Sequence, residues 1–405
     1  MNTDRYRFPF ALLTALATLG LVCMGGLVTS KGVGMAVPDW PTSFGYNMFA
    51  LPVNQWFHGG VFDEHTHRLW ASSVGLLVVL LTRWMGGSPA RKPLAVVGLL
   101  EIIAGILLLR LGPEWKGGGA FLASIGGVVM LAASIPGWRS PAEGILPRLA
   151  WMAFLLVQVQ GLLGGLRVVL DKALVGHVTL GTLFGLVHGC LGQTFFVLLG
   201  VIALLSSPWW ARLPVHGGLQ GRSEVRGLLL AIGLVALQLI LGASMRHQHA
   251  GLAILDFPLA YGRWWPLTDP ESVARYNQVR MDESTVTAFQ IQLQMMHRLG
   301  AVAALVAILT VSVRVGRRFG WGSPLGRGAM VWSGIALGQF TLGMLTIWTN
   351  KAADVATAHV AGGASLLWLG TALILTARRL TMPASSGMES SRVPGLSRVA
   401  VQGTP

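Results

Sequence analysis

Histidines inside apolar stretches are the residues of this sequence most able to do chemistry, and there are four of them: His67, His188, His297 and His359. An ionisable side chain inside a bilayer costs free energy, so its presence indicates a function by default. Imidazole is a common axial ligand of haem iron, and facing helices of a bundle are where cofactors are held. Each histidine taken alone also has a structural interpretation, in which a neutral imidazole hydrogen-bonds to a nearby carbonyl group.

The four histidines occupy corresponding places in an internal repeat. Because the repeat supplies two histidines to each half of the chain, the pattern favours one haem per half. Zinc or non-haem iron would need three or more convergent ligands, which neither half offers. The matching segments are residues 34–41 and 251–258, 67–68 and 297–298, and 160–164 and 339–343, followed one helix later by His188 and His359.

Long apolar segments must position these histidines. The chain of 405 residues is 53% hydrophobic and 11% charged, whereas a soluble domain has about 25% charged residues. Since a bilayer core needs about 20 mostly apolar residues per helix, the sequence predicts ten membrane-spanning helices. They lie near residues 8–29, 66–85, 93–111, 118–136, 146–167, 177–204, 225–245, 289–313, 328–348 and 354–377.

We therefore predict an all-α polytopic membrane protein, built as a pseudo-twofold pair of four-helix bundles. Segments 93–111 and 118–136 have no counterpart in the second half, so we interpret them as two inserted transmembrane helices. Residues 1–210 would form the N-terminal half and residues 211–380 the C-terminal half. The Ser-, Pro- and Gly-rich residues 381–405 are expected to be a disordered cytoplasmic tail.

The distribution of positive charge predicts the orientation in the membrane. Lys and Arg outnumber Asp and Glu by 30 to 16, for a formal net charge of +14, and loops that carry such an excess face the cytoplasm. Both termini are then cytoplasmic, and the charge needs no nucleic-acid partner. Two long connections, residues 30–65 and 246–288, fall on the extracytoplasmic side. Because His67 and His359 lie near the outer ends of their helices, we expect both haem sites under these connections.

Several motifs of the sequence form a larger pattern. They are Gly25-Gly26-Leu27-Val28-Thr29-Ser30, Asp39-Trp40-Pro41 with its repeat Asp256-Phe257-Pro258, Glu64-His65-Thr66-His67-Arg68, Gln160-Gly161-Leu162-Leu163-Gly164, His188-Gly189, His297-Arg298 and His359. In this order they resemble the heme A synthase family, from about residue 10 to residue 377. The resemblance implies a bacterial inner-membrane oxidoreductase that converts haem O to haem A for cytochrome oxidase assembly, by oxidising the C8 methyl to a formyl.

The resemblance also implies the ligands and partners. His67 and His188 would bind haem O, the substrate that becomes haem A, and His297 and His359 would bind a haem B. Dioxygen or water would supply the oxygen, and an electron donor that the sequence does not identify would supply electrons. Haem O synthase, cytochrome oxidase assembly factors and membrane lipid are the implied partners, and a homo-oligomer is left open. The alternative function is a dihaem b-type electron-transfer subunit that does not modify haem.

Glu64 breaks the internal repeat, because the residue three positions before His297 is Gln294. Glu64 precedes His67 by three residues and so shares its helix face. A carboxylate beside a haem can accept or relay protons, which glutamine cannot do. Glu64 is therefore the predicted catalytic residue. An ion pair with Arg68, four residues on, is the structural alternative and does not exclude catalysis.

Arginines beside the histidines are candidates for binding the carboxylates of haem. Arg68 and Arg298 each follow a histidine ligand, and the guanidinium group matches carboxylate geometry. We predict that they contact haem propionates, with interface anchoring as an equal alternative. Arg167 and Arg246 are weaker candidates of the same kind.

The remaining polar groups receive weaker interpretations. His177 either lies at a helix end near the propionates or contacts solvent. His58, His247 and His249 are placed in outer loops, where histidines are usually solvated, and are given no role. Glu101, inside an inserted helix, is interpreted as either a structural carboxyl or a group that faces a cavity.

Overall fold

The computed structural model describes residues 3–176, 178–213, 221–280 and 285–381. Over these residues, ten helices are long and apolar enough to cross a membrane. The sheet content of the same residues is one hairpin of two-residue strands. The prediction of an all-α polytopic membrane protein with ten spans is therefore confirmed. Residues 382–405, predicted as a tail, and His177 lie outside the described residues.

Twelve α-helices and two short strands make up the regular structure of the described chain. In order they are α1 (Arg7–Ser30), α2 (Val61–Gly86), α3 (Arg91–Leu111), α4 (Lys116–Ser134), α5 (Leu146–Val169), β1 (Leu174–Val175), β2 (Val178–Thr179), α6 (Leu180–Ser206), α7 (Pro208–Arg212), α8 (Arg222–His247), α9 (Pro270–Val279), α10 (Ala288–Phe319), α11 (Pro324–Trp348) and α12 (Ala353–Thr381).

Local sequence sets the start of several helices that carry a histidine. Thr179 caps α6 by accepting a hydrogen bond from the backbone N–H of Thr182. Thr287 and Gln290 form a reciprocal capping box at the start of α10. Such caps satisfy N–H groups that the first helical turn leaves unpaired. They place His188 and His297 within about the first three turns of their helices.

Eight of the ten spanning helices form two rings of four, and the inserted helices α3 and α4 lie outside the rings. Helices α1, α2, α5 and α6 pack in the first ring, and α8, α10, α11 and α12 pack in the second. Between the rings, α12 packs against α1 and α6, and α6 packs against α8. We call the end of the bundle that carries residues 31–60, 248–280 and 285–287 the loop face. All four candidate histidines lie on helices near this face.

The two connections at the loop face repeat one turn structure. Asp39 accepts hydrogen bonds from the backbone N–H groups of Phe44 and the residue after it, at 2.7 and 2.9 Å. Asp256 accepts the equivalent bonds from Tyr261 and the residue after it, at 2.8 and 3.0 Å. Phe44 and Tyr261 both have φ of 53°, in the left-handed region. The internal repeat thus extends to the backbone of the loops.

The inserted helices α3 and α4 pack against each other through glycines. A Cβ added at Gly105 would lie 2.6 Å from backbone atoms of both Gly119 and Ala123, and one at Gly98 would lie 2.6 Å from the carbonyl oxygen of Gly126. Small residues allow membrane helices to approach this closely. The outward side of α3 is a continuous row of exposed apolar residues: Leu99, Leu100, Ile103, Ile106 and Leu107.

We predict that Gly105→Leu separates the inserted helices. Overpacking of this kind costs about 1–3 kcal/mol, so the thermal unfolding midpoint of the detergent-purified, full-length protein should fall. Gly127→Leu is the matched control on α4, because a Cβ there meets nothing within 4 Å. Equal midpoints for the two variants would contradict the close-packed interface.

Candidate functional site

A cavity of about 1670 Å³ is lined by both halves of the bundle. His67, His188, His297 and His359 all line it. Its walls are mostly apolar, and loop residues Trp40 and Phe257 line it as well. The four histidines that the sequence singled out therefore face one common space.

Each of these histidines packs against a glycine of a neighbouring helix. A Cβ at the glycine would force the imidazole to give by a few tenths of an ångström. Each glycine therefore allows the helices to hold the ring at close range. The pairing is the same in all four places and follows the pseudo-twofold repeat. From an added Cβ to the imidazole Cε1, the distances are 3.1 Å for Gly25 and His67, 3.3 Å for Gly164 and His188, 3.0 Å for Gly242 and His297, and 3.3 Å for Gly343 and His359.

Glutamine amides hold the backbone of three of the histidines. Gln160 donates to the carbonyl oxygen of His188 at 3.3 Å, Gln339 to that of His359 at 2.9 Å, and Gln238 to that of His297 at 2.6 Å. Gln238 Nε2 also lies 2.9 Å from His297 Nδ1. If Gly25 is aligned with Gly242, the residue that corresponds to Gln238 is Leu21. His67 accordingly lacks the glutamine contact that His297 has.

The histidine pair of the second half has the spacing of two axial ligands. The ring centroids of His297 and His359 are 6.5 Å apart, and their planes cross at 67°. Two imidazoles on opposite sides of one metal would have centroids roughly 6.4 Å apart, given metal–nitrogen bonds of about 2 Å. The described residues contain no group of three or more His, Cys, Asp or Glu side chains that could hold a metal ion. The site therefore suits a metal that needs only two protein ligands.

Unsatisfied nitrogen atoms support the same conclusion. The buried Nδ1 atoms of His67, His188 and His359 have no hydrogen-bond partner in the described structure. Among the described residues, no protein acceptor holds these three rings through Nδ1, and no hydrogen bond engages Nε2, the less hindered ring nitrogen and the one that a haem iron binds. The residues that line the cavity thus fit haem groups held by pairs of imidazoles.

Glu64 and Gln294 hold the two outer loops by the same hydrogen bond. Glu64 Oε2 accepts from the backbone N–H of Val37 at 2.9 Å, and Gln294 Oε1 accepts from that of Ile254 at 2.6 Å. Glu64 Oε1 also pairs with Arg68 Nη2 at 2.6 Å. Glu64 is 4% exposed and lines the cavity. The ion pair considered as the structural alternative is present, and the carboxylate still borders the space where a substrate would lie.

Arg68 and Arg298 anchor the loops by donating to backbone carbonyl oxygens. This is the alternative role named for them, and contact with haem propionates stays a prediction. Because several N–H groups of each guanidinium are already engaged, the loops are tied to the helices that carry the histidines. Arg68 donates to Val37, Asp39 and Thr42 at 3.0, 2.7 and 3.1 Å, and Arg298 donates to Leu259 and Asp256 at 2.9 and 2.7 Å.

Other basic side chains line the cavity near the loop face. Arg167 lies on α5, and a Cβ added at Gly34 would be 2.7 Å from its Nη2. Arg246, near the end of α8, crosses between the halves to donate to Ser30 Oγ at 2.8 Å and to the carbonyl oxygen of Gly26. Both arginines line the cavity. These weaker candidates are therefore as well placed for an anionic ligand as Arg68 and Arg298.

Lys351 is a cavity residue that the sequence reasoning missed. It lies between α11 and α12 and lines the cavity. Burial lowers the pKa of its ammonium group, and the nearby positive charge of Arg246 lowers it further. The charge of Lys351 would be stabilised by an anion bound between them. No motif marked it, because its proximity to Arg246 joins two segments that are far apart in the chain.

The interpretation of His247 as a solvated loop residue is wrong. Helix α8 continues through His247, which is its last residue. The imidazole is half-buried beside Gly185 of α6, where an added Cβ would lie 2.6 Å from its Cε1, and it lines the cavity. His58 and His249, placed in the same class, are exposed. His247 differs from them because the neighbouring half covers it.

Glu101 connects the inserted helices to the cavity wall. Gln158 on α5 donates a hydrogen bond to Glu101 Oε1 on α3, and Gln158 itself lines the cavity. The other carboxyl oxygen of Glu101 is buried without a partner among the described residues. Glu101 thus lies behind the cavity wall rather than on it.

These features define a polytopic membrane protein in which two four-helix halves present histidine pairs to one shared, mostly apolar cavity with a basic rim. The chain matches the family described as COX15-CtaA: Cytochrome oxidase assembly protein over residues 118–371, which is more than half of its 405 residues. It belongs to this family.

Two bacterial relatives carry a more specific name. The chain is 31% identical over 179 residues to Heme A synthase of Caulobacter vibrioides, a match that covers 42% of this chain and 48% of that relative. It is 26% identical over 385 residues to Heme A synthase of Caulobacter sp. strain K31, covering 94% of this chain and 98% of that one. The first match spans about half of the relative, and the second spans nearly all of it.

We predict that the first loop loosens in acid. Burial opposes ionisation of Asp39, but hydrogen bonds from Thr42, Gly45 and Phe44 outweigh it, so the pKa of Asp39 lies below its usual 3.8. A lowered pKa stabilises the folded loop above pH 3.8, and this stabilisation is lost as the pH falls through the folded-state value. Hydrogen–deuterium exchange at Phe44 and Gly45, corrected for intrinsic rates, should rise in that range. In Asp39→Asn the exchange rates at these two amides should be high at all pH values. Exchange in the variant equal to that of the wild-type protein would contradict the prediction.

Proposed function

We propose that this protein is a heme A synthase, which oxidises the C8 methyl of haem O to a formyl group. The observation that carries the proposal is a difference between two otherwise matching histidine sites. Both halves present two histidines to the cavity, and only the first half has a carboxylate, Glu64, one turn from a histidine. The names of the two Caulobacter relatives support the same reaction.

In the second half, His297 and His359 would hold a haem B, whose chemistry when bound is one-electron transfer. The 6.5 Å between their ring centroids supports this assignment. Gln238 would fix the orientation of the His297 ring through its contact with Nδ1. This half contributes no ionisable group at the position of Glu64, which suits a site that carries electrons without moving protons.

In the first half, His67 and His188 would hold the substrate haem O. Conversion of the methyl to a formyl removes four electrons from the substrate, in two oxygen insertions followed by loss of one water. If dioxygen supplies the oxygen, each insertion takes two electrons and two protons from the donor side and releases one water. If water supplies it, each insertion releases two electrons and two protons, and the redox partner accepts the electrons. Arg167 and Arg246 would bind the substrate carboxylates at the loop end of the cavity, where guanidinium groups match carboxylate geometry. Trp40, which lines the cavity, would help to exclude water from the reacting edge.

Glu64 would deliver protons that the dioxygen-dependent oxidation of the methyl group consumes, or accept those that the water-dependent oxidation releases. It reaches the cavity while its two oxygens bind Arg68 and the N–H of Val37. These bonds fix the carboxylate in one position, as general acid–base catalysis requires. They also connect the catalytic group to the loop that covers the site.

The orientation in the membrane follows from the positive charge. We infer that both termini are cytoplasmic and that the loop face, with both sites, is extracytoplasmic. The remaining partners are an electron donor, haem O synthase and cytochrome oxidase assembly factors, and self-association is left open.

One observation favours a second function, a dihaem electron-transfer subunit. Because Glu64 and Gln294 make the same hydrogen bond to a loop N–H, their difference is compatible with a purely structural exchange. Extraction and mass analysis of pigments from the full-length protein, purified after coexpression with a source of haem O, separates the two functions. A heme A synthase contains haem A or haem O beside haem B. Haem B alone, with no conversion, would overturn our proposal.

We predict that Glu64→Gln retains both haems and loses haem A formation by at least about 100-fold, since general acid–base groups contribute about 10²–10⁴. The variant should fold, because Gln294 already makes the equivalent loop bond in the second half. Asp63→Asn is the control, as Asp63 pairs with Lys31 outside the cavity. Haem A in the membranes is the measurement, and wild-type levels in Glu64→Gln would remove its catalytic role.

A further inference from the structure

Part of the cavity lies between α2 and α5 in the first half and between α10 and α11 in the second. The residues that line this part differ in size between the halves. Aligning His67 with His297 places α2 on α10, and aligning Gln160 with Gln339 places α5 on α11. At four cavity-lining positions the first half has the smaller residue. The pairs are Ser72 and Val302, Gly75 and Leu305, Gly161 and Phe340, and Gly165 and Met344.

The space left by these small residues is largely unfilled. A Cβ added at Gly75 or at Gly161 meets no atom within 4 Å. Gly165 is different, because the ring of Trp40 packs on it and an added Cβ would lie 2.3 Å from that ring. The first half therefore has an open side pocket, bordered by Gly75 and Gly161, that bulky side chains narrow in the second half.

The inserted helices form the outer wall of this side pocket. Phe121, Leu122 and Ile125 of α4 line the same cavity. Helix α4 packs against α2, and Glu101 of α3 accepts a hydrogen bond from Gln158 of α5. The pair is thus attached to both helices that border the side pocket. At the corresponding place in the second half, Leu299 and Val302 remain 50% and 48% exposed.

Unpaired amide oxygens line the cavity in both halves, and one of them, in the first half, has no polar counterpart. The buried Oε1 atoms without a partner among the described residues belong to Gln160 and Gln193 in the first half and to Gln238 and Gln339 in the second. Aligning His188 with His359 places Ala364 at the position that corresponds to Gln193. An unpaired acceptor in a mostly apolar cavity suits an apolar ligand that carries a hydroxyl donor.

We propose that the side pocket binds the isoprenoid side chain of the substrate haem and that the inserted helices α3 and α4 exist to enclose it. This inference rests on the function proposed above. Haem O carries a long isoprenoid chain with a hydroxyl at its base, and haem B has neither. In the first half the side pocket is apolar and walled by α3 and α4, and Gln193 adds an unpaired acceptor to the cavity wall. In the second half bulkier residues narrow the corresponding space, and no helix of the described chain covers it. These differences would sort the two haems by their side chains. The acyl chain of a lipid has similar chemistry and is the competing occupant.

The test replaces a glycine at the border of the side pocket by the residue found at the corresponding position of the second half. Gly75→Leu and Gly161→Phe enter open space, so neither forces backbone to move. Gly127→Phe is the control, because it adds the same bulk to open space on α4 and does not line the cavity. Full-length proteins are purified from cells supplied with haem O, and haem O plus haem A is measured against haem B by extraction and mass analysis.

We expect each pocket variant to lower haem O plus haem A per protein about tenfold, the effect of modest overpacking. Haem B per protein should not change, and the control should match wild type. When haem B is the only haem supplied, total loading should equal wild type, because a haem without the side chain makes no clash. Reduced loading there would show a damaged site and overturn the proposal.

Wild-type haem O plus haem A in both pocket variants would also overturn it, and copurified phospholipid displaced by Gly161→Phe would then identify a lipid site. If the proposed function is wrong, the wild-type protein would contain haem B alone even when haem O is supplied. This result differs from those that contradict only the side-pocket proposal.

Discussion

The approach of each imidazole to a glycine on the next helix is the contact on which the site depends. An added Cβ at these glycines would come within 3.0–3.3 Å of the imidazole, so any side chain would push the ring or the helix away. Four such contacts, one for each histidine, bring the imidazoles to one cavity. The loops then depend on the same helices, because Arg68 and Arg298, next in sequence to two of the histidines, hold the loop carbonyl groups.

Against this shared framework, the differences between the halves carry the functional information. The same loop N–H is held by Glu64 in one half and by Gln294 in the other. Gln238 contacts the ring of His297, where the first half has Leu21. A duplicated bundle keeps its packing when one polar group replaces another of the same shape, and so the two sites are free to differ in proton chemistry and in polarity.

Much of the fold was predictable from the sequence. Ten apolar runs gave ten spanning helices, because a helix is the only single segment that satisfies its backbone in lipid. The motif repeats predicted which residues correspond, and the matching turns at Asp39 and Asp256 follow that correspondence. His247 was misread because a helix of the other half covers it. Lys351 was missed because it lies in the short connection between α11 and α12, beside Arg246 of α8. Periodicity within one helix carries no information about such contacts.

The sequence by itself determined that the chain is a membrane protein and that it is duplicated, and it predicts that four histidines and one unmatched carboxylate belong to its chemistry. Hydropathy and short motifs are local properties, so they can be read along the chain. Only the tertiary structure decided that both histidine pairs share one cavity, that Arg68 and Arg298 are occupied by loop carbonyl groups, and that α3 and α4 wall the first half. Those facts depend on contacts between distant segments, such as Arg246 with Ser30, which packing alone creates.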